Sequence, residues 1–267
     1  MSSSNKDSCH HHETLKIGIV GFGPFAQFLA KTMIRQGHSL TATSRSDYSD
    51  LCNQMGIKFF REMTQFCEAE NDVVLLCTSI ISSLQVVQSN PFNLLTRRAL
   101  FVDVLSVKEY PRDLLLNLLP DDCDLVCTHP MFGPESGKNG WKGLPMVFER
   151  VRVRDQNLCS TFLGIFEREG CRMVEMTCQE HDKLAAKTQF VTHTIGRMLS
   201  EMEIEPTPMD TKGFQMLLQL RETMCQHSFD LYLGLFKHNR FAIEELNNME
   251  RALQTVKKKL MEGMDKK

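Results

Sequence analysis

The feature that most constrains the fold of this chain is a glycine-rich turn between an apolar run and an amphipathic segment. The run at 15–20 leads into Gly21, Gly23 and Ala26, in the pattern G-x-G-x-x-A, and a helix is predicted over 25–36. The first glycine permits a tight turn, the second lets the backbone approach a pyrophosphate, and the small third residue allows close helix–strand packing. At the first strand–helix turn, this motif indicates a dinucleotide-binding fold.

The first two thirds of the chain alternate short apolar runs with helical patterns. We predict strands at 15–20, 39–43, 72–77, 99–104, 124–128 and 172–176, and helices at 25–36, 48–55 and 157–168. Continuous, β-branched runs are typical of strands buried on both faces of a sheet. Their alternation with helices predicts an α/β fold with a Rossmann-type doubly wound parallel sheet.

The character of the sequence changes after residue 178, where helical patterns replace strands. Three long helices are predicted, at 182–201, 211–235 and 241–261. In the last one, an apolar seam recurs at spacings of three and four: Leu246, Met249, Leu253, Val256 and Leu260. The seam suits either a core face or the interface of a homodimer. We therefore predict a disordered tail at 1–14, a Rossmann domain at 15–178 and an all-helical substrate and dimerisation domain at 179–267.

Charge and cysteine content exclude several classes of protein. The 31 Lys and Arg against 33 Asp and Glu give a net charge of −2, which disfavours nucleic acid as a partner. No apolar run approaches the roughly 20 residues that cross a bilayer.

The ten cysteines lack C-x-x-C spacing and predict free thiols in a reducing compartment. The N-terminus resembles neither a secretory signal nor a transit peptide, so we predict a cytoplasmic protein. The histidines at 10–12 are interpreted as polar filler, and no metal site is predicted.

The end of the second predicted strand indicates which dinucleotide is bound. An NAD enzyme usually places Asp or Glu there for the ribose hydroxyls, but this chain has Ser44, Arg45 and Ser46. A guanidinium flanked by two hydroxyls suits a 2′-phosphate through charge-assisted hydrogen bonds. We therefore predict NADP as the cofactor. Asp47 and Asp50 follow slightly later and are interpreted as helix caps.

A second predicted cofactor contact lies at the end of the strand at 72–77. Thr78 and Ser79 follow this strand, at the edge where a Rossmann sheet contacts its ligand. For Ser79, a role as the cap of the next helix explains the residue equally well.

Two further segments carry side chains suited to chemistry. His129 lies between a predicted strand end and a loop rich in proline and glycine, where open α/β sheets bind ligands. Gln189, His193 and Arg197 recur every four residues and therefore form one polar face of a helix. Apolar residues beside this face predict that the helix is largely packed rather than solvated.

These segments resemble the plant arogenate/prephenate dehydrogenases of tyrosine biosynthesis. The resemblance is carried by HPMFGPESGKNGW, which starts at His129, by EHDKLAAK and SFDLY, and by Gly21–Ala26, Asp103–Lys108 and Gln189–His193. It covers about Lys16 to Met261, and the short N-terminus is similar to the cytosolic branch. The resemblance implies oxidative decarboxylation of a small cyclohexadienyl acid, with hydride passing from ring C4 to NADP and CO₂ leaving C1.

The resemblance also implies roles for particular side chains. His129 would assist at the substrate 4-hydroxyl, since a neutral histidine can accept that hydrogen bond near pH 7. Ser106 would hold the histidine or the hydroxyl. The residues lining the substrate pocket would be Gln189, His193 and Thr211. Thr211 could instead cap the following helix. Lys108 is interpreted as a surface residue, with steering of the anionic substrate as the alternative.

One position departs from the family pattern and bears on substrate choice. The arogenate-specific members are similar in carrying an acidic residue directly before Ser-Phe-Asp-Leu, where it pairs with the substrate ammonium. Here His227 stands at that position, and histidine offers no carboxylate. The sequence therefore favours prephenate, whose keto group replaces the amine, and leaves an NADP-dependent arogenate dehydrogenase as the alternative. More remote alternatives are a β-hydroxyacid dehydrogenase that uses Lys187, and a non-catalytic NADP sensor.

Overall fold

A computed structural model of the chain describes residues 14–89, 92 and 98–264. Its strands are β1 (Lys16–Val20), β2 (Ser39–Thr43), β3 (Lys58–Phe60), β4 (Val73–Leu76), β5 (Leu100–Asp103), β6 (Asp124–Pro130), β7 (Pro145–Arg152) and β8 (Arg172–Glu175). The helices interleaved with them are α1 (Pro24–Arg35), α2 (Ser49–Gln54), α3 (Met63–Cys67), α4 (Ser83–Ser89), α5 (Glu109–Leu118) and α6 (Gln156–Arg168). The tail predicted at 1–14 lies, except for residue 14, outside the described residues.

The eight strands form one sheet in the order β3-β2-β1-β4-β5-β6-β7-β8. The first six positions follow the doubly wound order in which the chain starts at the centre and winds outwards in both directions. All neighbouring strands are parallel except β6 and β7, which are antiparallel. The predicted Rossmann-type sheet is confirmed, and β7 and β8 extend it beyond β6.

Two strands, β3 and β7, were missing from the sequence prediction. β3 spans three residues, too few to show a period. β7 reads PMVFERVR, and only its first half is buried, so it lacks the continuous apolar run of the central strands. It also runs against β6, whereas alternation of strands and helices predicted parallel pairs throughout. The sheet is therefore parallel, as predicted, except at this one pairing.

The two faces of the sheet bury separate apolar cores. One core packs β1 and β4 against α1 and α6. Within it, Phe28, Phe132, Trp141 and Phe166 form an aromatic cluster, and the rings of Trp141 and Phe166 stack with centroids 5.5 Å apart. Phe132 and Trp141 of the HPMFGPESGKNGW string thus contribute to packing of the core. Only its first residue, His129, takes part in the polar network described below.

Every described element after β8 is helical: α7 (Cys178–Ala185), a π-helical turn (Ala186–Phe190), α8 (Val191–Glu201), α9 (Lys212–Gln226), α10 (Phe229–Lys237) and α11 (Ala242–Met264). The first predicted helix starts too late, because Thr177 and Glu180 form a capping box that begins α7. The helix predicted at 211–235 is wrong as one element. It breaks at His227, and the Ser228 hydroxyl accepts the Leu231 N–H to begin α10.

A third apolar cluster joins the helices to the carboxyl edge of the sheet. Ile80 and Leu105, which follow β4 and β5, pack with Phe190 and Leu235 from the helical part. The approach is close at Gly234, where an added Cβ would lie 2.9 Å from Cβ of Ile80. The cluster therefore holds the π-helical turn and α10 over the strand ends that form the candidate site.

The outer half of α11 leaves the predicted apolar seam uncovered by the rest of the chain. Leu246 packs against the third cluster, but Leu253 is 58 % exposed and Leu260 is 66 % exposed. None of the described helices combines the length and apolar character that a membrane crossing requires. The nine cysteines in the described ranges are free thiols, as predicted.

Candidate active site

The glycine turn after β1 forms an open cradle at the start of α1. Gly21 has φ of +89°, and a Cβ added there would lie 2.8 Å from the carbonyl oxygen of Cys77, so only glycine fits without strain. Gly23 is the residue directly before α1, and a Cβ added to it would meet no atom within 4 Å. Ala26 is buried against the sheet. The space beside Gly23 at the start of α1 is therefore open, as binding of a phosphate group there requires.

The segment after β2 presents an exposed cation, and the acidic side chain nearest to it, Asp47, is engaged in hydrogen bonds. Arg45 and Ser46 are exposed, and Ser44 is half-buried. Asp47 accepts hydrogen bonds from the Ser49 N–H at 2.9 Å and from its hydroxyl, which begins α2. These bonds lower the pKa of Asp47, chiefly through the Ser49 hydroxyl. The predicted capping role of Asp47 thus fits, whereas the one predicted for Asp50 is wrong, because Asp50 lies exposed within the first turn of α2 and makes no capping hydrogen bond to the described part of the chain. Arg45 faces solvent beside the glycine turn.

After β4, the two predicted cofactor residues differ in their contacts. The Ser79 hydroxyl accepts the Ser82 N–H at 3.2 Å and lies 2.7 Å from the Ser82 hydroxyl. This arrangement supports the capping explanation for Ser79. Thr78 is half-buried at the same edge of the sheet as Gly21.

His129 stands at the end of β6 as the first member of a buried row of polar groups. Nδ1 of His129 lies 2.8 Å from Nε2 of His181, and Nδ1 of His181 lies 2.8 Å from Oδ1 of Asp182. The His129 side chain is nearly inaccessible to solvent. Burial, with smaller contributions from His181 and Lys108, holds the pKa of His129 well below its usual value. His129 is therefore neutral at pH 7.

The sequence analysis missed His181 and Asp182, although both lie in the EHDKLAAK string. Asp182 accepts the backbone N–H groups of Lys108 at 2.7 Å and Glu109 at 2.9 Å, at the start of α5. The Asn239 amide donates to the Asp182 carbonyl at 2.8 Å. Three distant segments thus converge on Asp182. The adjacent histidine and aspartate were the available signal, but sequence alone gave no partner for them.

The interpretation of Lys108 as a surface residue is wrong, because its side chain is 2 % exposed. Its ammonium donates to Oδ1 of Asp103 and, at 2.5 Å, to the carbonyl oxygen of Thr128. Asp103 is itself fully buried, and burial raises its pKa. Lys108 thus ties β5 to β6 next to His129, and the ion pair leaves it poorly placed to steer substrate from solution.

Ser106 follows β5 and lies at the same edge as His129, because Asp103 of β5 pairs with Cys127 of β6. Its side chain is half-buried. Within the described ranges, no hydrogen bond joins Ser106 to His129. The structure therefore brings the two residues to one edge without linking them directly.

The predicted polar face of the helical part holds three buried atoms that have no hydrogen-bond partner among the described residues. They are Oε1 of Gln189, Nδ1 of His193 and Nε of Arg197. Buried polar groups ordinarily find partners, so a row of unpaired ones is typical of a ligand site. Burial, followed by His227 and Arg197, lowers the pKa of His193 to about 4.

His227 faces this row from the break between α9 and α10. Its ring stacks on that of His193 with centroids 5.1 Å apart. The Arg197 guanidinium donates to the carbonyl oxygens of His227 at 3.0 Å and Ser228 at 3.2 Å, and it lies 4.9 Å from the centroid of Tyr232. His227, which is predicted to affect substrate choice, therefore packs against the polar helix face that is predicted to bind substrate.

Thr211 lies apart from these contacts. Its side chain is exposed, and its hydroxyl accepts the Phe214 N–H at 3.2 Å, which caps α9. The capping alternative therefore explains Thr211 in this structure.

Comparison with families of known proteins matches two parts of the chain. Residues 29–149 match the family described as prephenate dehydrogenase, nucleotide-binding domain. Residues 198–267 match the family described as TYRAAT1-like, C-terminal domain.

The solved structure of prephenate dehydrogenase from A. aeolicus, in complex with hydroxyphenyl propionate and NAD+, superposes with a TM-score of 0.76 at 17 % identity. The superposition covers 95 % of this chain and 93 % of that one, and it shows the fold.

Two Arabidopsis thaliana proteins are much more similar in sequence. Arogenate dehydrogenase 1, chloroplastic, is 52 % identical over 263 residues, which cover 97 % of this chain and 41 % of that protein. The chain thus spans less than half the length of this relative. Arogenate dehydrogenase 2, chloroplastic, is 52 % identical over 259 residues, which cover 96 % of this chain and 72 % of that protein. With this identity over nearly its whole length, the chain belongs to the arogenate/prephenate dehydrogenase family.

Proposed function

We propose that this chain is an NADP-dependent dehydrogenase that oxidatively decarboxylates arogenate to tyrosine. The observation that carries the chemistry is the neutral, buried His129 at the carboxyl edge of a sheet whose glycine turn suits a dinucleotide. The choice of arogenate is supported by the names of the two Arabidopsis relatives. The prephenate reading from sequence becomes the second candidate.

In this proposal, the chain supplies orientation and one proton acceptor. When bound, the nicotinamide accepts the hydride that leaves ring C4. Nε2 of His129 accepts a hydrogen bond from the 4-hydroxyl, which favours hydride loss, and it holds the proton while the C1–CO₂ bond breaks. The electron pair of that bond completes the aromatic ring, and His129 returns the proton to the phenol oxygen. Burial keeps the acceptor neutral and limits competition from water.

The proposed binding groups divide between the two ends of the site. Gly21, Gly23 and Ala26 would take the pyrophosphate, with Thr78 and Ser79 beside it. The groups proposed for the 2′-phosphate are Ser44, Arg45 and Ser46. Ser106 would contact the substrate hydroxyl, and the unpaired atoms of Gln189 and His193 would contact the rest of the substrate. Thr211 is proposed only as a helix cap.

Prephenate is kept as the second candidate because of His227. The ring of His227 stacks on that of His193. A carboxylate at this position would pair with the ammonium of arogenate, and a neutral imidazole does not. Burial and then Arg197 lower the pKa of His227, so it is neutral at pH 7. A neutral group favours the keto acid over the amino acid.

The test is a side-by-side comparison of arogenate and prephenate, each with NADP and NAD, in which kcat/KM is measured from reduced cofactor. We expect turnover with NADP and the higher kcat/KM with arogenate. A higher kcat/KM with prephenate would replace the first candidate by the second. Absence of turnover with both substrates would refute the proposed function.

We also propose that the chain forms a homodimer through the exposed seam of α11 and acts in the cytoplasm. Leu253, Val256 and Leu260 are more than half exposed in the single chain, and burying them would stabilise a dimer. The free thiols suit a reducing compartment. Sedimentation should give twice the 30.6 kDa chain mass, and a Leu253→Glu variant should sediment as a monomer. A fluorescent fusion of the full chain tests the location.

A further inference from the structure

We propose that His181 and Asp182 are positioning residues, which fix the tautomer of His129 so that Nε2 remains a hydrogen-bond acceptor. The proposal rests on the proposed function for the identity of the group that Nε2 meets, the substrate hydroxyl. Neither residue needs to touch substrate or cofactor. Their effect would pass through the two nitrogen contacts that join them to His129.

The order of protons follows from what each atom can do. An ionised carboxylate only accepts hydrogen bonds, so Nδ1 of His181 must carry the proton that faces Asp182. Nε2 of a neutral His181 is then an acceptor, and Nδ1 of His129 must carry the proton between the two rings. A neutral imidazole has a single N–H, so Nε2 of His129 keeps its lone pair.

This order is the one in which His181 is neutral, and the proposal includes that state. The side chain is 3 % exposed, and each of its ring nitrogens has a polar atom 2.8 Å away. The Asp182 carboxylate also accepts the N–H groups of Lys108 and Glu109, so the group that faces Nδ1 of His181 is itself fixed in place.

Asp182 is held by hydrogen bonds from two other segments of the chain. Its carboxylate receives the first N–H groups of α5, where the positive end of the helix dipole lies. Its carbonyl oxygen accepts from Asn239, which is buried in the turn between α10 and α11. Asn239 is anchored in turn by the N–H of Phe241 bonding to its side-chain oxygen. The orientation of His129 would thus depend on segments up to 74 residues away from Asp182.

The discriminating variants are His181→Gln and His181→Phe. The glutamine can present an amide oxygen where Nε2 of His181 stood, and so accept the proton of His129 Nδ1. The phenylalanine fills a similar space but leaves that proton without an acceptor. A structural role would make both substitutions costly in proportion to lost packing, whereas a positioning role predicts that glutamine restores function.

Two readouts are needed, and the first requires no substrate. Long-range ¹H–¹⁵N spectra of histidine-labelled protein should show Nδ1 protonated and Nε2 unprotonated on His129 in the wild type and in His181→Gln, and a mixed or reversed state in His181→Phe. In the second, kcat should fall about 100-fold or more in His181→Phe and recover to within about tenfold in His181→Gln, with the KM for NADP unchanged. Thermal unfolding verifies that each variant is folded.

His38→Phe is the matched control, because it removes another buried imidazole, which lies at the amino end of β2 and therefore away from the candidate site. It should lower the melting temperature without changing kcat.

A wild-type His129 protonated at Nε2, or a His181→Phe enzyme with wild-type kcat, would overturn the proposal. If the wild type turns over neither substrate, the proposed function fails, and the tautomer spectra still decide the positioning role. If His181→Phe does not fold, the wild-type and His181→Gln spectra decide it.

Discussion

The glycine turn and the imidazole row lie at the same edge of the sheet, yet sequence specifies them in different ways. The turn at Gly21 and Gly23 is encoded within six residues, and its geometry follows from local backbone requirements. The row from His129 to Asp182 joins residues more than 50 positions apart, and its further contacts to α5 and Asn239 span 57 to 74 positions. The proposed cofactor site is therefore specified locally, whereas the proposed catalytic row depends on how the helical part packs on the sheet.

Removing the proposed proton acceptor should have the largest effect. In His129→Asn, we expect kcat to fall by about 10²- to 10⁴-fold, the range typical of a lost proton acceptor. Binding of NADP, measured by fluorescence titration, should be unchanged, because the glycine turn does not depend on the row. A kcat within tenfold of the wild type would show that His129 does not assist at the hydroxyl.

The cofactor region is tested by Arg45→Ala. Loss of a charge-assisted hydrogen bond costs about 1.5–3 kcal/mol, so the KM for NADP should rise about 10- to 100-fold. The KM for NAD should not change, since NAD has no 2′-phosphate to bind. Equal effects on both cofactors, or none on either, would contradict the assignment of Arg45 to the 2′-phosphate.

Substrate choice is tested by His227→Asp. A carboxylate at this position would pair with the arogenate ammonium near the surface, where such pairs contribute about 1 kcal/mol. The ratio of kcat/KM for arogenate to that for prephenate should therefore rise about fivefold. His227→Asn is the control, since it changes the shape without adding charge. An unchanged ratio in His227→Asp would mean that substrate choice is set elsewhere.

The last prediction concerns stability against acid rather than activity. Burial lowers the pKa values of His38 and His193 to about 4, below the value of 6.5 expected in the unfolded chain. Between pH 4 and pH 6.5, the unfolded state therefore binds more protons than the folded state. The free energy of unfolding should consequently fall as the pH drops from 6.5 to 4. The slope is on the order of 1 kcal/mol per pH unit for each histidine. Urea unfolding should show a shallower decline in His38→Gln, and an identical decline would contradict this cause.

Sequence alone sufficed where the signal is local. The strand Ser39–Thr43 was predicted to the residue, and the turn at Gly21 was recognised, because continuous apolar runs and positive φ leave few alternatives. The break at His227 also had a local signal that went unused, since Ser228 followed by Asp230 is a common helix start. The capping box at Thr177 was a similar missed signal.

The rest required tertiary structure. Lys108 resembles a surface lysine in sequence, and only the folded chain shows that Asp103 and the Thr128 carbonyl bury its ammonium. The partner of His129 could not be inferred either, because no period or spacing links residue 129 to residue 181. The antiparallel strand β7 was hidden for a related reason, since its outer half carries charged residues on a partly covered face.

In the proposed reaction, the edge of the sheet at His129 couples oxidation of a cyclohexadienyl acid to loss of its carboxylate. The most direct measurement is the stoichiometry of reduced NADP and CO₂ formed from arogenate by the wild-type protein, with His129→Asn as the comparison. We expect one CO₂ for each NADPH in the wild type and neither product at a comparable rate in the variant. NADPH formed without CO₂, or equal rates in the two proteins, would contradict the claim.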